Sequence, residues 1–405
     1  MHISKLDVTG KKVLVRVDFN VPLSEDGKVK DDERLRRALP TIRYLLDQGA
    51  GVILMSHLGR PQKKRLPDGS LDVDKFTLRH VIPALEQLLG QSVAFAPDCG
   101  GEKSREMAAE LNPHEVLLLE NTRFDPGETK GDKAFAERLA ALGDCYVNDA
   151  FGTAHRAHAS TAVVPGFYPA SCKAMGFLME AELRNAQRVL HHADHPFVLI
   201  LGGAKVSDKI QLIESFLPKV EDLIIGGGMA FTFVKAMGGF VGDSLVEEDR
   251  IELARHLLEK AQESGVHIHL PHDVVAADGF SETAEKELMP ADRIPPGWMG
   301  LDIGPKSLSN FGHVILRSKT ILWNGPMGVF EMAPFAGGTF GMAEFVAQAT
   351  DNGAYSLIGG GDSAAAVKAS GLADRVSYIS TGGGAMLTYL EGKPLPAVEA
   401  LKSQL

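Results

Sequence analysis

Short apolar runs recur along this chain, each followed by glycine or polar residues, with longer amphipathic stretches between them. In the first half "KVLVRV" (12–17), "GVILMS" (51–56), "EVLLLE" (115–120) and "CYVNDA" (145–150) read as strands. In the second half "FVLILG" (197–202), "DLIIGG" (222–227), "VHIHLP" (266–271), "TILWNG" (320–325), "YSLIGG" (355–360) and "VSYIST" (376–381) do the same. The intervening segments have helical spacing. In "DDERLRRALPTIRYLLDQG", Leu35, Leu39, Ile42, Leu45 and Leu46 fall on one face, with Asp31 or Asp32 as N-cap. Strands that are apolar on both faces and alternate with helices predict an α/β fold of parallel, doubly wound sheets.

A chain of 405 residues, 44% of them hydrophobic, is long enough for two such domains. In open α/β sheets ligands sit beyond the carboxyl ends of the strands, and there the two halves differ. First-half ends carry charge and imidazole: "RVDFNVP" (16–22), "SHLGRP" (56–61), "ENTRFDPGE" (120–128) and "NDAFGTAHRAHAS" (148–160). Second-half ends carry glycine: "GGAKVSDK" (202–209), "GGGMAF" (226–231), "GGGDSA" (359–364) and "TGGGAM" (381–386). This change of character puts the boundary between about Pro165 and Leu190, where "FLMEAELRNAQRVLHH" (177–192) has the periodicity of a connecting helix.

Formal net charge is -10, which argues against a general nucleic-acid or membrane-surface binder. An anion site must then be a local cluster of cations. Cys99, Cys145 and Cys172 are widely spaced with no CxxC, as expected of reduced thiols in a cytoplasmic protein. The opening "MHISKLDVTGKK" has no apolar signal region, and no 18-residue apolar run occurs.

Arg34, His57, Arg60, Arg123 and Arg156, with Asp18 and Asn20, converge if the first-half strands share one sheet. Arginine forks match carboxylate and phosphate oxygens, so the cluster suits a small, multiply charged anion. A single arginine is ordinarily a solvated ion pair; recurrence at four strand ends is the argument for a site. His155 and His158 have metal-ligand spacing, but "HRAH" lacks the further ligands a zinc site needs, and His191, His192 and His195 read as a solvated helix end.

In the second half, three triple-glycine turns and "GGAK" permit close approach of peptide N–H groups to a phosphate, which favours a nucleotide. "GGGDSA" nominally matches the dinucleotide fingerprint, yet Asp362 would point a carboxylate at the pyrophosphate and no acidic residue lies at the ribose offset. Asp362 makes sense as a magnesium partner, as a helix N-cap, or as both. Lys205 and Lys209 are four apart and share a face if the helix has begun; a transferring phosphoryl group would supply the anion they need.

Taken with "WNGPMGVFE", "GGGMAFTF" and "STGGGA", these motifs span nearly the whole chain in order and resemble the phosphoglycerate kinase family. The resemblance implies two doubly wound domains, each a mainly parallel sheet flanked by helices, joined by a hinge with an interdomain helix. It implies a phosphoglycerate-binding domain over residues 1–172, onto which the tail 389–405 packs back, and a nucleotide-binding domain over 173–388. The implied activity is reversible transfer between 1,3-bisphosphoglycerate and Mg-ADP, giving 3-phosphoglycerate and Mg-ATP, by a cytoplasmic, hinge-bending monomer. Carried over by motif, Asp18, Asn20, Arg34, His57, Arg60, Arg123 and Arg156 form the phosphoglycerate site, with Arg34 catalytic. Lys205 meets the transferring group and Lys209 a nucleotide phosphate; Glu331 contacts ribose, and Gly300 lies by adenine. Asp362 partners Mg²⁺, with Gly360, Gly361 and Ser363 beside it, while Gly383 and Gly384 bring amides to the phosphates. The competing readings are a nicotinamide-dependent dehydrogenase and a silent nucleotide-binding scaffold.

Overall fold

The computed structural model describes residues 2–402, and the chain falls into two compact units. One runs to Arg184 and takes up the chain again from Lys393; the other spans Asn185–Gly392, so the division lies inside the helix Phe177–His191.

The first unit is built on β1 (Lys12–Arg16), β2 (Gly51–Met55), β3 (Ala94–Phe95), β4 (Val116–Leu118), β5 (Cys145–Asn148) and β6 (Lys173–Met175). Their order is β3-β4-β2-β1-β5-β6, with every neighbouring pair parallel. All five residues of β2 are buried, as a strand covered by helices on both faces must be. The helix Glu33–Asp47 buries Leu35, Leu39, Ile42, Leu45 and Leu46, the face expected from their spacing. At its start Asp31 Oδ1 accepts the Glu33 N–H at 2.9 Å, while Asp32, in the cap position, instead takes two bonds from Arg36. Near the end of the chain the helix Pro396–Lys402 buries Ala397, Val398 and Leu401, and the Ala397 N–H donates to the Ala154 carbonyl at 3.1 Å.

The second unit contains β7 (Phe197–Leu201), β8 (Asp222–Ile225), β9 (Phe240–Val241), β10 (His267–His269), β11 (Asp273–Ala277), β12 (Lys286–Pro290), β13 (Arg293–Ile294), β14 (Met299–Ile303), β15 (Thr320–Asn324), β16 (Tyr355–Gly359) and β17 (Tyr378–Ile379). Six of these form a parallel sheet in the order β10-β8-β7-β15-β16-β17. A small antiparallel sheet, β12-β11-β14, and the pair β13–β9 stand beside it. Neither was expected from the sequence, because β12 is mostly exposed and β9 and β13 have two residues each, too few for an alternating pattern.

In each parallel sheet the strand order reverses once, between β1 and β5 and between β7 and β15, which opens a crevice beyond the carboxyl ends. At the second crevice the loops after β7 and β15 touch backbone to backbone. A Cβ on Gly202 would lie 2.1 Å from the Pro326 carbonyl oxygen, and Gly325 has a φ of +104°, so only glycine fits both places. At the first crevice Asn121, fully buried after β4, ties three segments together. Its amide donates to the Leu58 and Phe76 carbonyls, both at 2.8 Å, and its Oδ1 accepts from the Leu58 and Arg123 N–H groups. Asp149, buried after β5, accepts the N–H groups of Leu178 and Met179 on one oxygen.

Two predictions follow from these anchors. Asn121→Ala leaves two buried carbonyls and two N–H groups unpaired and should lower urea-unfolding stability by ~2–4 kcal/mol. For Asp149, burial pushes the carboxyl up to about 6. Below about pH 4 the group is protonated in folded and unfolded chains alike. From about 4 to 6 the unfolded chain loses its proton first, so stability falls, and above 6 the loss is complete. Asp149→Asn removes that slope: between about pH 5 and pH 7 the variant should gain ~1 kcal/mol relative to the parent in urea titrations, and a pH-independent difference would refute the assignment.

Candidate active site

The seven first-half residues picked out from the sequence all line one cavity of about 340 Å³ in the first unit. Asp18 and Asn20 come from the loop after β1, and His57 and Arg60 from the loop after β2. Arg123 lies in the turn after β4, Arg156 in the segment after β5, and Arg34 in the first turn of the helix Glu33–Asp47. Arg34 donates to Asp18, and Asn20 Oδ1 accepts the Gly59 N–H at 2.8 Å. Arg123 donates to the Gly59 carbonyl at 2.6 Å. Arg156 Nε donates to His155 at 3.2 Å, so that histidine serves as an acceptor for an arginine.

Beneath the cavity lies Arg16, a residue that strand periodicity gave no reason to single out. It is fully buried at the end of β1 and donates to Ser160 Oγ at 2.8 Å and to the Val17 carbonyl at 2.5 Å. Its Nη2 also reaches His57 Nδ1 at 3.2 Å. A guanidinium can only donate, so Nδ1 is the acceptor and the ring proton sits on Nε2. Burial first, then Arg16, Arg123 and Arg34, hold His57 well below the usual imidazole range, so the ring is neutral at physiological pH. Burial first, then Arg123, Arg16 and Arg156, bring His158 to about 4. Burial and the neighbouring Arg16 and Arg156 lower Arg123 to about 10, still charged near neutrality. The buried Glu128 carboxylate answers this positive charge, accepting the Ser160 N–H and hydroxyl at 2.9 and 2.6 Å and lying 4.0 Å from Arg16.

The second unit holds a cavity of about 740 Å³ whose wall is mostly apolar, with Phe231, Leu245, Val274, Met299 and Met327 among its lining. Gly300, Glu331 and Asp362 line it; Lys205, Lys209, Gly360, Gly361, Ser363, Gly383 and Gly384 do not. Gly300 is needed for fit, since a Cβ there would lie 2.1 Å from the Phe231 ring. Asp302, on the cavity floor, accepts the Gly338 and Ile303 N–H groups at 2.7 and 2.9 Å, and burial pushes its carboxyl up to about 7.

Of the remaining residues, Lys209, Gly360 and Ser363 meet at the end of β15. Lys209 donates to Asn324 Oδ1, and the Gly325 N–H donates to Ser363 Oγ at 2.5 Å. Among the described residues Asn324 Nδ2 is buried without a hydrogen-bond partner, and a Cβ on Gly360 would lie 3.0 Å from it. Burial lowers Lys209, opposed by Asp208, Asp362 and Glu391. The helix here starts only at Ile210, so Lys209 takes the cap position and Lys205 the preceding loop, and the two lysines do not share a helix face. Asp362 is likewise not the cap. Gly360 is, with Asp362 second in the helix Gly361–Ala369 and no side-chain cap bond formed. Its exposed oxygens are thus available to a hard cation, and a single carboxylate fits Mg²⁺, which is held chiefly by water and phosphate. Gly383 and Gly384 open the seven-residue helix Gly384–Leu390 after β17.

Comparison with known proteins adds an independent line. The family model described as phosphoglycerate kinase matches residues 3–393. A cytosolic phosphoglycerate kinase of Triticum aestivum is 53% identical over 399 residues, 98% of this chain and 97% of the relative. One from Porphyromonas gingivalis is 48% identical, covering 99% of this chain and 100% of the relative. The solved phosphoglycerate kinase of Coxiella burnetii superposes with a TM-score of 0.87 at 40% identity, covering 99% of this chain and 98% of that one. The motifs, the two doubly wound sheets and these full-length matches lead to one conclusion: the chain belongs to the phosphoglycerate kinase family and is a kinase of glycolysis.

Proposed function

We propose that the arginine-lined cavity of the first unit binds 3-phosphoglycerate and that the apolar, glycine-edged cavity of the second binds Mg-ADP or Mg-ATP. The observation that supports this most is the segregation of charge. Four arginines, a neutral histidine and the Asp18–Asn20 pair share one cavity, while apolar walls and glycine turns make the other. A three-carbon acid with a carboxylate and a phosphate needs several cations and no apolar wall; an adenosine needs the reverse.

The acceptor carboxylate is already ionised near neutrality, so no general base is required. Catalysis then rests on orientation and on charge stabilisation at the migrating phosphoryl group. Arg34 orients the acceptor and Lys205 meets the transferring group, with Lys209 on a nucleotide phosphate. His57, its proton fixed on Nε2 by Arg16, donates a neutral hydrogen bond to the bound anion. Glu331 serves the ribose, Gly300 the adenine edge, and Gly360, Gly361, Gly383 and Gly384 offer peptide N–H groups to phosphates. Ser363, with its hydroxyl engaged by Gly325, contributes through its backbone. Asp362 would hold Mg²⁺, which, when bound with nucleotide, neutralises phosphate charge. Transfer between ligands held on different units requires a hinge closure, which also excludes water. No helix among the described residues is long and apolar enough to cross a membrane, and the free cysteines suit a reducing compartment. We take the protein to be a cytoplasmic monomer.

Coupled formation of ATP from 1,3-bisphosphoglycerate and Mg-ADP tests the reading directly; a folded protein that binds neither 3-phosphoglycerate nor Mg-ADP at these cavities would refute it. Arg34→Ala and Lys205→Ala should each lower kcat by ~10² or more, and an unchanged kcat in a folded variant would remove that residue from the mechanism. Arg60→Ala should raise KM for 3-phosphoglycerate and leave ADP affinity nearly intact, whereas equal loss for both ligands would argue against separate sites.

A further inference from the structure

One more cation lines the first-unit cavity. Lys64 faces it together with the four arginines, although nothing in the strand-end pattern pointed to a residue so far beyond β2. We propose that Lys64 is a further substrate-binding residue, contributing a fifth positive charge to the recognition of 3-phosphoglycerate; the proposal rests on the reading of this cavity as the phosphoglycerate site.

Pro61–Lys63 forms a single 3-10 turn with Arg60 at its N-terminal cap and Lys64 at its C-terminal cap. The Lys64 N–H donates to the Pro61 carbonyl at 3.2 Å, and the Lys63 N–H to the Arg60 carbonyl at 3.0 Å. One small turn therefore offers two cations, Arg60 and Lys64, to the same cavity, while Lys63 between them does not line it. The turn is fastened next to a third cation. Gln62 donates its amide to the Arg123 and Phe124 carbonyls, both at 3.3 Å, and accepts from Arg65 at 2.5 Å. Arg65 also donates to the Gly69 carbonyl at 2.7 Å, and residues 65 and 71 pair as a β-bridge, closing the following loop. Lys64 thus sits between two anchored neighbours.

The charge around it is also one-sided. Among the described residues, Asp18 is the only carboxylate lining the cavity, and it is already engaged by Arg34. Among the described residues, the Lys64 ammonium has no ion pair or hydrogen bond, whereas Lys103 and Lys235 hold acids. A long, exposed stem beside Arg60 and Arg123 lets the ammonium follow a bound phosphate without the rigid geometry of a guanidinium. Lys64 should therefore strengthen binding and leave the chemical step alone.

The test compares purified Lys64→Ala, Lys64→Arg, Lys63→Ala and Arg60→Ala by steady-state kinetics with 3-phosphoglycerate, ATP and magnesium, at low and high potassium chloride. Lys64→Ala should raise KM for 3-phosphoglycerate roughly fivefold, the scale of one partly solvated charge contact, with kcat and KM for ATP within about twofold of the parent. The rise of that KM with salt should be shallower in Lys64→Ala, because one fewer charge is screened. Lys64→Arg should restore most of the affinity, and Lys63→Ala should match the parent. If Lys64→Ala matches Lys63→Ala while Arg60→Ala weakens 3-phosphoglycerate binding, the role of Lys64 is overturned and the cavity assignment stands. If Arg60→Ala is silent as well, the cavity assignment falls and takes Lys64 with it.

Discussion

Holding like charges together in a small volume is the constraint around which the first unit is arranged. Arg34, Arg60, Arg123 and Arg156 line one cavity, and Arg16 is buried beneath it, in a protein whose overall charge is -10. Such a cluster repels itself until an anion arrives; burial first, and then repulsion from Arg16 and Arg156, lower Arg123. The structure answers with acceptors at fixed points: the Gly59 carbonyl for Arg123, Asp18 for Arg34, and Ser160 with Glu128 for Arg16. Burial, joined by repulsion from the arginines, also keeps His57 and His158 uncharged, so neither adds to the cluster. Each acceptor belongs to a segment following a different strand, so integrity of the sheet and geometry of the site are the same requirement.

The second unit meets the opposite demand. Its cavity needs flat apolar walls and close backbone approach, and side chains are obstacles. Gly202 and Gly325 let two strand-end loops touch, and Gly300 lets the Phe231 ring lie against β14. Asp302, among the polar groups lining the cavity, is committed to the Gly338 and Ile303 N–H groups, and beside the cavity Ser363 accepts from the Gly325 N–H. The exposed Asp362 carboxylate and Asn324 Nδ2, for which the described residues give no hydrogen-bond partner, flank Gly360 after β16, where a triphosphate and its cation would have use for an acceptor and a donor.

What the sequence determined by itself was the part carried by local pattern. Ten apolar runs became ten strands of two parallel sheets, because a strand buried on both faces must be apolar at consecutive positions. The seven polar residues of the first cavity were legible because strand ends carry side chains to one edge of a sheet, and sequence neighbours such as His57 and Arg60 arrive there together. Tertiary structure decided whatever depends on contacts between distant segments. Arg16 reads as an ordinary strand residue until Ser160 and His57 fold against it, and Glu128 as a surface acid until Ser160 buries it. Where the helix after "GGAK" begins, and hence how its lysines are displayed, was fixed by loop packing that propensity does not see. The small antiparallel sheet stayed hidden for a related reason: its strands are held by their neighbours, with little hydrophobic alternation of their own.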